Sequence, residues 1–281
     1  MTYLHAVVIG VIEGLTEFLP VSSTGHLLLT NALLGNTAEF SKTLDIAIQS
    51  GAMLAVVAYT WREWFKLEVL TRVFAGFLPT AVIGLVLYPF VKAYLLTPTV
   101  VVIALAVGGL VMLAFERWYA PRLETAQGEA SVVSLTHRQA ALVGLAQVLA
   151  LVPGVSRSAA TILGGLAMRL PRATVVLYSF LLAVPTIGAA TAYDLWKQRA
   201  LLSGDAWGVL AVGTVVSGVV AALVIRWFLA FIRRHSFAVD RRGARLVDPP
   251  PLGSGQRVSL GSKIVTGSVS PFNSWAILDP P

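Results

Sequence analysis

The chain contains no cysteine among its 281 residues. Disulfide bonds, thiolate nucleophiles and cysteine-based metal sites are therefore excluded. Charged residues are also scarce, at 12% of the chain, whereas 56% of the residues are hydrophobic and the mean hydropathy is +0.77. Soluble domains contain about 25% charged residues. The composition therefore indicates an integral membrane protein.

A cleavable signal peptide is not expected either. The first 34 residues are apolar, but they lack a basic start and a small-residue cleavage site, and they contain Glu13 and Glu17. A membrane-crossing helix needs about 20 mainly apolar residues. Such runs predict five crossings, at about residues 41–60, 73–95, 99–115, 173–193 and 207–232. The predicted fold is thus an all-α polytopic membrane protein.

Two polar segments interrupt this apolar chain: GLTEFLPVSSTGH at 14–26 and GLAQVLALVPGVSRSAAT at 144–161. Both begin with Gly-Leu-x-[Glu/Gln], pass a proline and reach Val-Ser-x-[Ser/Thr], which indicates an internal duplication. Proline ends a helix, and the hydroxyl residues that follow it can begin a second one. Each copy therefore predicts a re-entrant helix-break-helix hairpin, at about 4–34 and 140–168.

The net charge of +7 is typical of positive-inside topology rather than of nucleic-acid binding. If both hairpins return to the side they enter from, most loop arginines share one face, which the charge rule assigns to the cytoplasm. Three crossings separate the hairpins, so the hairpins would enter from opposite faces. The sequence therefore predicts inverted-topology repeats whose hairpins meet near the bilayer midplane.

The first segment carries acidic and hydroxyl side chains. Glu13 and Glu17 are four residues apart, on one face of a helix. A central ionisable residue costs about 2.5 to 3.5 kcal/mol on insertion scales, so we expect both to be paired, hydrated or metal-bound. His26 follows Ser23 by three positions, close enough on one helical turn for the two to share a hydrogen bond. This pattern suits a nucleophile with a base, or a general acid, although membrane hydroxyls also serve in packing.

The second segment is basic. Ser156, Arg157 and Ser158 follow Pro153-Gly154, and Thr161 lies one turn further on. A guanidinium binds phosphate oxygens bidentately, and a helix N-terminus attracts anions. The alternative for Arg157 is a structural ion pair with Glu13 or Glu17. Gln147 takes the place of Glu17 in this copy, so the acidic half could hold a metal and the basic half a phosphate.

At EGLTEFLPVSSTGH (13–26) and PGVSRSAAT (153–161), the chain resembles the undecaprenyl-diphosphate phosphatases of the bacitracin-resistance type. The similarity extends over about residues 1–237. It implies interdigitated inverted repeats in the bacterial inner membrane, with an active site open to the outer, periplasmic face. It also implies removal of one phosphate from undecaprenyl diphosphate with a divalent cation, which recycles the lipid carrier for the cell wall and confers bacitracin resistance.

The resemblance also implies roles for individual residues. Ser23 would attack phosphorus or orient the attacking water, and His26 would move the proton. Mg²⁺ or Ca²⁺ fits the oxygen ligands. A homodimer is suggested by the resemblance alone. The expected groups are catalytic Ser23, His26, Glu17 and Arg157; phosphate-binding Arg157, Ser156, Ser158, Thr161, Ser22 and Thr24; and metal-binding Glu13 and Glu17.

Two other functions fit parts of the pattern. A phosphate or lipid-phosphate transporter or flippase would use the same inverted repeats and the same Arg157. A divalent-metal carrier would use Glu13, Glu17 and His26, but Arg157 beside the path argues against it. The hydroxyl and histidine cluster favours the enzyme, because transport alone does not need it.

The C-terminal stretch departs from the family pattern. The family has one more apolar crossing after the position of Phe237, whereas residues 238–281 here are polar and rich in proline and glycine. The abrupt change is typical of a shifted reading frame, and a divergent natural tail is the alternative. We expect a disordered cytoplasmic tail that follows a membrane domain of residues 1–237.

Overall fold

The computed structural model describes residues 2–36, 39–119, 131–197 and 206–234. These ranges form nine α-helices joined by short turns. The helices are α1 (Tyr3–Thr16), α2 (Ser23–Leu33), α3 (Glu39–Tyr59), α4 (Leu67–Phe90), α5 (Pro98–Ala114), α6 (His137–Gln147), α7 (Arg157–Ala167), α8 (Arg172–Lys197) and α9 (Ala206–Arg234). The expected tail at 238–281 lies outside the described residues.

Within the described ranges, four helical stretches are long and apolar enough to cross a membrane: Leu67–Leu95, Pro98–Arg117, Arg172–Tyr193 and Trp207–Ile232. They match four of the predicted crossings. The predicted crossing at 41–60 corresponds to α3, whose apolar part, Leu44–Tyr59, is shorter than these stretches. The described chain is therefore an all-α protein with several helices suited to span a bilayer.

The polar segments each fold as helix, break and helix. In the first, α1 ends at Thr16 and α2 begins at Ser23. In the second, α6 ends at Gln147, a 3₁₀ turn follows, and α7 begins at Arg157. The prolines of both segments lie inside the breaks, as expected for a residue without a backbone N–H.

Hydrogen-bonded caps fix where the helices of the second segment begin. Thr136 and Gln139 form a capping box at the start of α6, in which each side chain accepts a hydrogen bond from the other's backbone N–H. At the start of α7 the Ser156 hydroxyl accepts from the Ala159 N–H at 3.2 Å. Each cap satisfies a backbone N–H in the first turn of its own helix, so α6 begins after Thr136 and α7 begins after Ser156.

Glycines allow the segments to pack tightly between the long helices. α1 lies along α9, and α6 lies along α4. A Cβ atom on Gly10 would lie 2.6 Å from the carbonyl oxygen of Gly213, and one on Gly144 would overlap the Gly76 backbone. Small residues therefore bring the helix backbones into contact, as is common in membrane bundles.

The hydrophobic core anchors the first break. Phe18, which lies between α1 and α2, is fully buried. Its ring packs edge-on against Phe180 of α8, with 5.0 Å between the ring centroids. The ring centroid of Phe180 in turn lies 6.2 Å from that of Phe228 in α9. The break is thus held against two long helices, and its polar residues take a defined position.

We expect Gly144→Ala to destabilise the protein by about 1–3 kcal/mol, because the added methyl group would overlap the Gly76 backbone. The measurement is the thermal unfolding midpoint of purified protein in detergent. Gly108→Ala is the matched control, because nothing lies within 4 Å of a Cβ atom there. Equal midpoints for the two variants would contradict the close packing of α4 on α6.

Candidate active site

A pocket of about 200 Å³ is lined by residues of both polar segments. The first segment contributes carboxylate and hydroxyl groups, and the second contributes the arginine and an amide. The polar lining consists of Glu17, Ser22, Ser23, Thr24, Gln49, Thr80, Gln147, Ser156, Arg157 and Thr186. The apolar lining consists of Ala150, Leu151, Val155, Ile187 and Ala190. The pocket can therefore hold a polar group beside an apolar one.

A buried ion pair joins the two segments. Arg157 Nη2 lies 3.0 Å from Glu17 Oε1, and the two side chains are only 11% and 6% exposed. Arg157 Nη1 donates to the carbonyl oxygen of Ser179 at 2.8 Å. Nε has no hydrogen-bond partner among the described residues. The ion pair expected as the alternative for Arg157 is therefore present, in a side chain that also lines the pocket.

Glu17 also binds the hydroxyl group expected to act as nucleophile. Ser23 Oγ donates to Glu17 Oε2 at 2.6 Å, a short distance typical of a charge-assisted hydrogen bond. One carboxylate thus contacts both Arg157 and Ser23, each through a different oxygen. This arrangement places a proton acceptor directly on the Ser23 hydroxyl.

The hydrogen bond that the spacing allows between Ser23 and His26 is absent. His26 Nδ1 instead lies 2.9 Å from the carbonyl oxygen of Ser22, to which it donates because a carbonyl can only accept. Ser23 is the first residue of α2, so its side chain points back to the break and reaches Glu17. His26 does not line the pocket.

Ser22 has a strained backbone. Its φ angle is 63°, in the left-handed region that favours glycine, and it is buried. In the second break the corresponding turn uses a glycine, Gly154, with φ of 96°. A non-glycine residue in this conformation requires support from its surroundings and is frequent at functional sites. Here the strained turn places Ser23 against Glu17.

Hydroxyl groups of the second segment connect the two breaks. Ser158 Oγ donates to the Leu19 carbonyl oxygen at 2.7 Å, and Ser156 Oγ lies 3.0 Å from Ser158 Oγ. Ser158 and Thr161 are buried and do not line the pocket. Among the residues expected to bind phosphate, those that line the pocket are Ser22, Thr24, Ser156 and Arg157.

The two glutamates differ in their surroundings. Glu13 is fully buried, and neither of its carboxylate oxygens has a hydrogen-bond partner in the described part of the chain. A ligand set of three or more His, Asp or Glu is absent from that part. Mg²⁺ is usually held by one or two carboxylates together with water and substrate phosphates. The carboxylates of Glu13 and Glu17 are oxygen donors of the kind that pattern requires, and of the two only Glu17 lines the pocket.

α3 places two polar residues near the first segment, Asp45 and Gln49, and of these two Gln49 lines the pocket. Asp45 accepts hydrogen bonds from Asn31 Nδ2 at 3.0 and 2.8 Å. Asn31 is itself buried in α2. This pair therefore ties α2 to α3.

The far wall of the pocket consists of Gln147, Thr80 and Thr186, and the motifs identify neither of the two threonines. Gln147 Nε2 donates to the hydroxyl oxygens of Thr80 and Thr186, at 3.1 Å each. These hydroxyls donate to the carbonyl oxygens of Gly144 and Leu182, respectively. The sequence does carry a signal for this wall, because a Pro-Thr pair occurs in both α4 and α8, at 79–80 and 185–186.

Comparison with known proteins places the chain in a family. The family model described as Bacitracin resistance protein BacA matches residues 6–239. The undecaprenyl-diphosphatase of Sulfurihydrogenibium sp. is 42% identical over 238 residues, which cover 84% of this chain and 93% of the relative. The chain belongs to the bacitracin resistance protein family.

Other family members are equally similar. The undecaprenyl-diphosphatase of Sphingopyxis alaskensis is 46% identical over 83% of this chain and 90% of its own length. The undecaprenyl-diphosphatase of Aquifex aeolicus is 40% identical over 85% of this chain and 93% of its own length. The family match includes both polar segments and ends at residue 239, close to the change of composition at residue 238.

We expect Arg157→Gln to destabilise the protein by about 3–5 kcal/mol, because it leaves Glu17 as a buried charge without its partner. Adding Glu17→Gln should recover part of this loss, since the uncompensated charge is removed as well. Thermal unfolding in detergent of both single variants and the double variant measures the coupling.

The matched control is the exposed pair Lys66 and Glu63, at 2.7 Å. The same exchange to glutamine there should change stability by about 0–1 kcal/mol. Strictly additive effects of Arg157→Gln and Glu17→Gln would contradict the coupling of the buried pair.

Proposed function

We propose that the protein hydrolyses undecaprenyl diphosphate to undecaprenyl phosphate and inorganic phosphate. The observation that carries this proposal is the hydrogen-bonded unit of Arg157, Glu17 and Ser23 in one pocket. It combines a phosphate-binding cation, a proton acceptor and a nucleophile. The names of the relatives, undecaprenyl-diphosphatase, support the same reaction. The product is the recycled lipid carrier for cell-wall synthesis, and the activity confers bacitracin resistance.

The second segment binds the terminal phosphate in this proposal. Phosphoryl transfer depends mainly on positioning and on neutralisation of charge. Arg157 and Ser156 line the pocket, and Ser156 stands at the N-terminus of α7, where backbone N–H groups and the helix dipole favour an anion. The guanidinium is shared between Glu17 and phosphate, so substrate binding weakens the ion pair.

The first segment supplies the nucleophile. Ser23 Oγ attacks the terminal phosphorus, and its proton passes to Glu17 Oε2, which already accepts the hydrogen bond. The bond from phosphorus to the bridging oxygen breaks, and undecaprenyl phosphate leaves with that electron pair. Water then attacks the phosphoserine and the bond from Ser23 Oγ to phosphorus breaks, while Glu17 returns the proton to Ser23 Oγ. Inorganic phosphate is released, and the Ser23 hydroxyl and the Glu17 carboxylate are both restored. His26 supports the step by donating to the Ser22 carbonyl and holding the strained turn.

Glu13 and Glu17 are the proposed ligands of Mg²⁺ or Ca²⁺. Their acidic side chains lie on the same segment, and the oxygens of Glu13 are free of hydrogen bonds within the described residues. A bound divalent cation would neutralise charge on the diphosphate. Glu17 would then contact Arg157, Ser23 and the cation. The cation would be the partner of the Glu13 carboxylate.

We propose that the two halves form inverted repeats with re-entrant hairpins. The contacts between helices support this, because their pattern stays the same when α1, α3 and α4 are exchanged for α6, α8 and α9. α1 packs on α9 as α6 packs on α4, α3 packs on α9 as α8 packs on α4, and α3 and α8 pack on each other. Such a relation is typical of membrane proteins whose site lies at the repeat interface.

The location of the site is part of the same proposal. The protein is proposed to lie in the bacterial inner membrane with its pocket open to the periplasmic side. The apolar lining, which includes Leu151 and Ile187, suits the first isoprene units beside the diphosphate. The homodimer suggested by the resemblance stays a prediction.

Purified protein in detergent is expected to release phosphate from undecaprenyl diphosphate and to lose this activity in EDTA. Ser23→Ala and Arg157→Ala should each lower kcat/KM by at least about a hundredfold, because they remove the nucleophile and the phosphate-binding charge. Ser217→Ala is the control, since Ser217 is equally buried but does not line the pocket.

Two outcomes would count against this reading of the site. Full turnover by Arg157→Ala would refute the role of the guanidinium. Wild-type protein that releases no phosphate, yet moves lipid phosphate across vesicles, would favour a transporter.

Glu13→Gln is expected to raise the Mg²⁺ concentration for half-maximal activity by about 10- to 100-fold, because an amide is a poorer cation ligand than a carboxylate. The measurement is phosphate release during Mg²⁺ titration, repeated with Ca²⁺. Glu63→Gln, which removes a partly exposed carboxylate that does not line the pocket, should leave the titration unchanged. An unchanged titration for Glu13→Gln would exclude Glu13 as a metal ligand.

A further inference from the structure

Ser179 lies in the middle of α8, outside both polar segments, and is fully buried. We propose that Ser179 is a positioning residue for Arg157, through a closed ring of hydrogen bonds that also includes Thr161. This inference rests on the proposed function, because it assigns the ring to the phosphate-binding arginine. It also gives Thr161 a role different from a phosphate ligand.

The distances define the ring. Arg157 Nη1 donates to the carbonyl oxygen of Ser179 at 2.8 Å and lies 3.4 Å from its hydroxyl oxygen. Ser179 Oγ lies 2.6 Å from Thr161 Oγ1. Thr161 Oγ1 lies 3.0 Å from the carbonyl oxygen of Arg157 and 3.1 Å from that of Ser158. The ring therefore begins at the guanidinium of Arg157 and ends at its backbone.

The direction of each hydrogen bond follows from the groups involved. Arginine only donates, and a carbonyl oxygen only accepts. Ser179 Oγ can therefore only accept from Arg157, so its own proton points to Thr161. Thr161 then gives its single proton to the backbone carbonyls at the start of α7. In this arrangement the hydroxyls of Ser179 and Thr161 are both satisfied.

The ring keeps Arg157 from turning fully towards Glu17. Nη1 is directed to Ser179, so only Nη2 contacts Glu17 Oε1. Two parallel bonds would otherwise join the guanidinium fork to both carboxylate oxygens, which is the frequent geometry of such pairs. Because Nη1 is held elsewhere, Glu17 Oε2 remains available to Ser23.

Thr161 acts through Arg157 rather than on the substrate. It is fully buried and does not line the pocket. Its contacts join α7 to Ser179 of α8, so the arginine is fixed to two helices at once. Misplacement of a binding group by about 1 Å can cost about a hundredfold in rate, which makes such fixing important for phosphoryl transfer.

The test compares Ser179→Ala and Thr161→Val with wild type, with Thr161→Ser and Ser217→Ala as controls. Thr161→Ser keeps the hydroxyl, and Ser217 is a buried serine whose hydroxyl has no partner among the described residues. We expect Ser179→Ala and Thr161→Val to lower kcat/KM for undecaprenyl diphosphate about tenfold and to weaken inhibition by inorganic phosphate similarly. Ser217→Ala should match wild type, and Thr161→Ser should recover most of the activity that Thr161→Val loses, because it keeps the hydroxyl.

A second comparison separates positioning from general stability. In an Arg157→Lys background, Ser179→Ala should cause no further loss, because a lysine lacks the donor fork that Ser179 holds. An equal tenfold loss in that background would overturn the proposal, as would wild-type kinetics of Ser179→Ala.

Phosphate binding provides a readout that does not depend on turnover. Inorganic phosphate should raise the unfolding midpoint of wild type, since a ligand of the folded state stabilises it. Ser179→Ala should need about tenfold more phosphate for the same rise. If wild type releases no phosphate from the lipid, the proposed function fails, and this titration still decides the role of Ser179. Identical titrations for the two proteins would refute it.

Discussion

Glu17 and Arg157 lie 140 positions apart in the chain and form an ion pair at 3.0 Å inside the protein. A buried charge without a partner is strongly unfavourable, so each of these residues requires the other. The pair can form only if the two breaks meet. Ser158 reinforces the meeting by its hydrogen bond to the Leu19 carbonyl in the opposite break. The relative position of the two polar segments, and hence the pocket, depends on this interaction.

The bundle is built so that this meeting is possible. Helices that end or break inside an apolar protein must come close to their neighbours, and here glycines bring the backbones together. A Cβ atom on Gly14 would lie 2.7 Å from the carbonyl oxygen of Ser217 in α9, and a Cβ atom on Gly144 would overlap the backbone of Gly76 in α4. α1 of the first segment thus packs closely on α9, and α6 of the second packs closely on α4. The ion pair joins these two pairs of helices.

The sequence predicts the parts of this site that stand out against an apolar background. Three of its residues are recognisable because polar and ionisable side chains inside a membrane protein are energetically costly and usually functional. They are Glu17, Ser23 and Arg157. The spacing in α2 allows His26 as a partner of Ser23, whereas the structure shows Glu17 in that place, because spacing along one helix says nothing about a carboxylate before the break. Ser179 was missed because a lone serine in an apolar helix is typical of packing. Contacts between helices distant in the chain are not encoded in local spacing.

The difference between the two copies has a physical reason in their hydrogen bonds. Glu17 accepts from Arg157 and Ser23, so a carboxylate is satisfied there. Gln147 faces the hydroxyls of Thr80 and Thr186, whose protons already go to backbone carbonyls. Those hydroxyls can only accept, so they suit the two donors of an amide, and a carboxylate in the same place would find no donor. The far wall is therefore neutral, and the acid chemistry of the pocket is confined to the first segment.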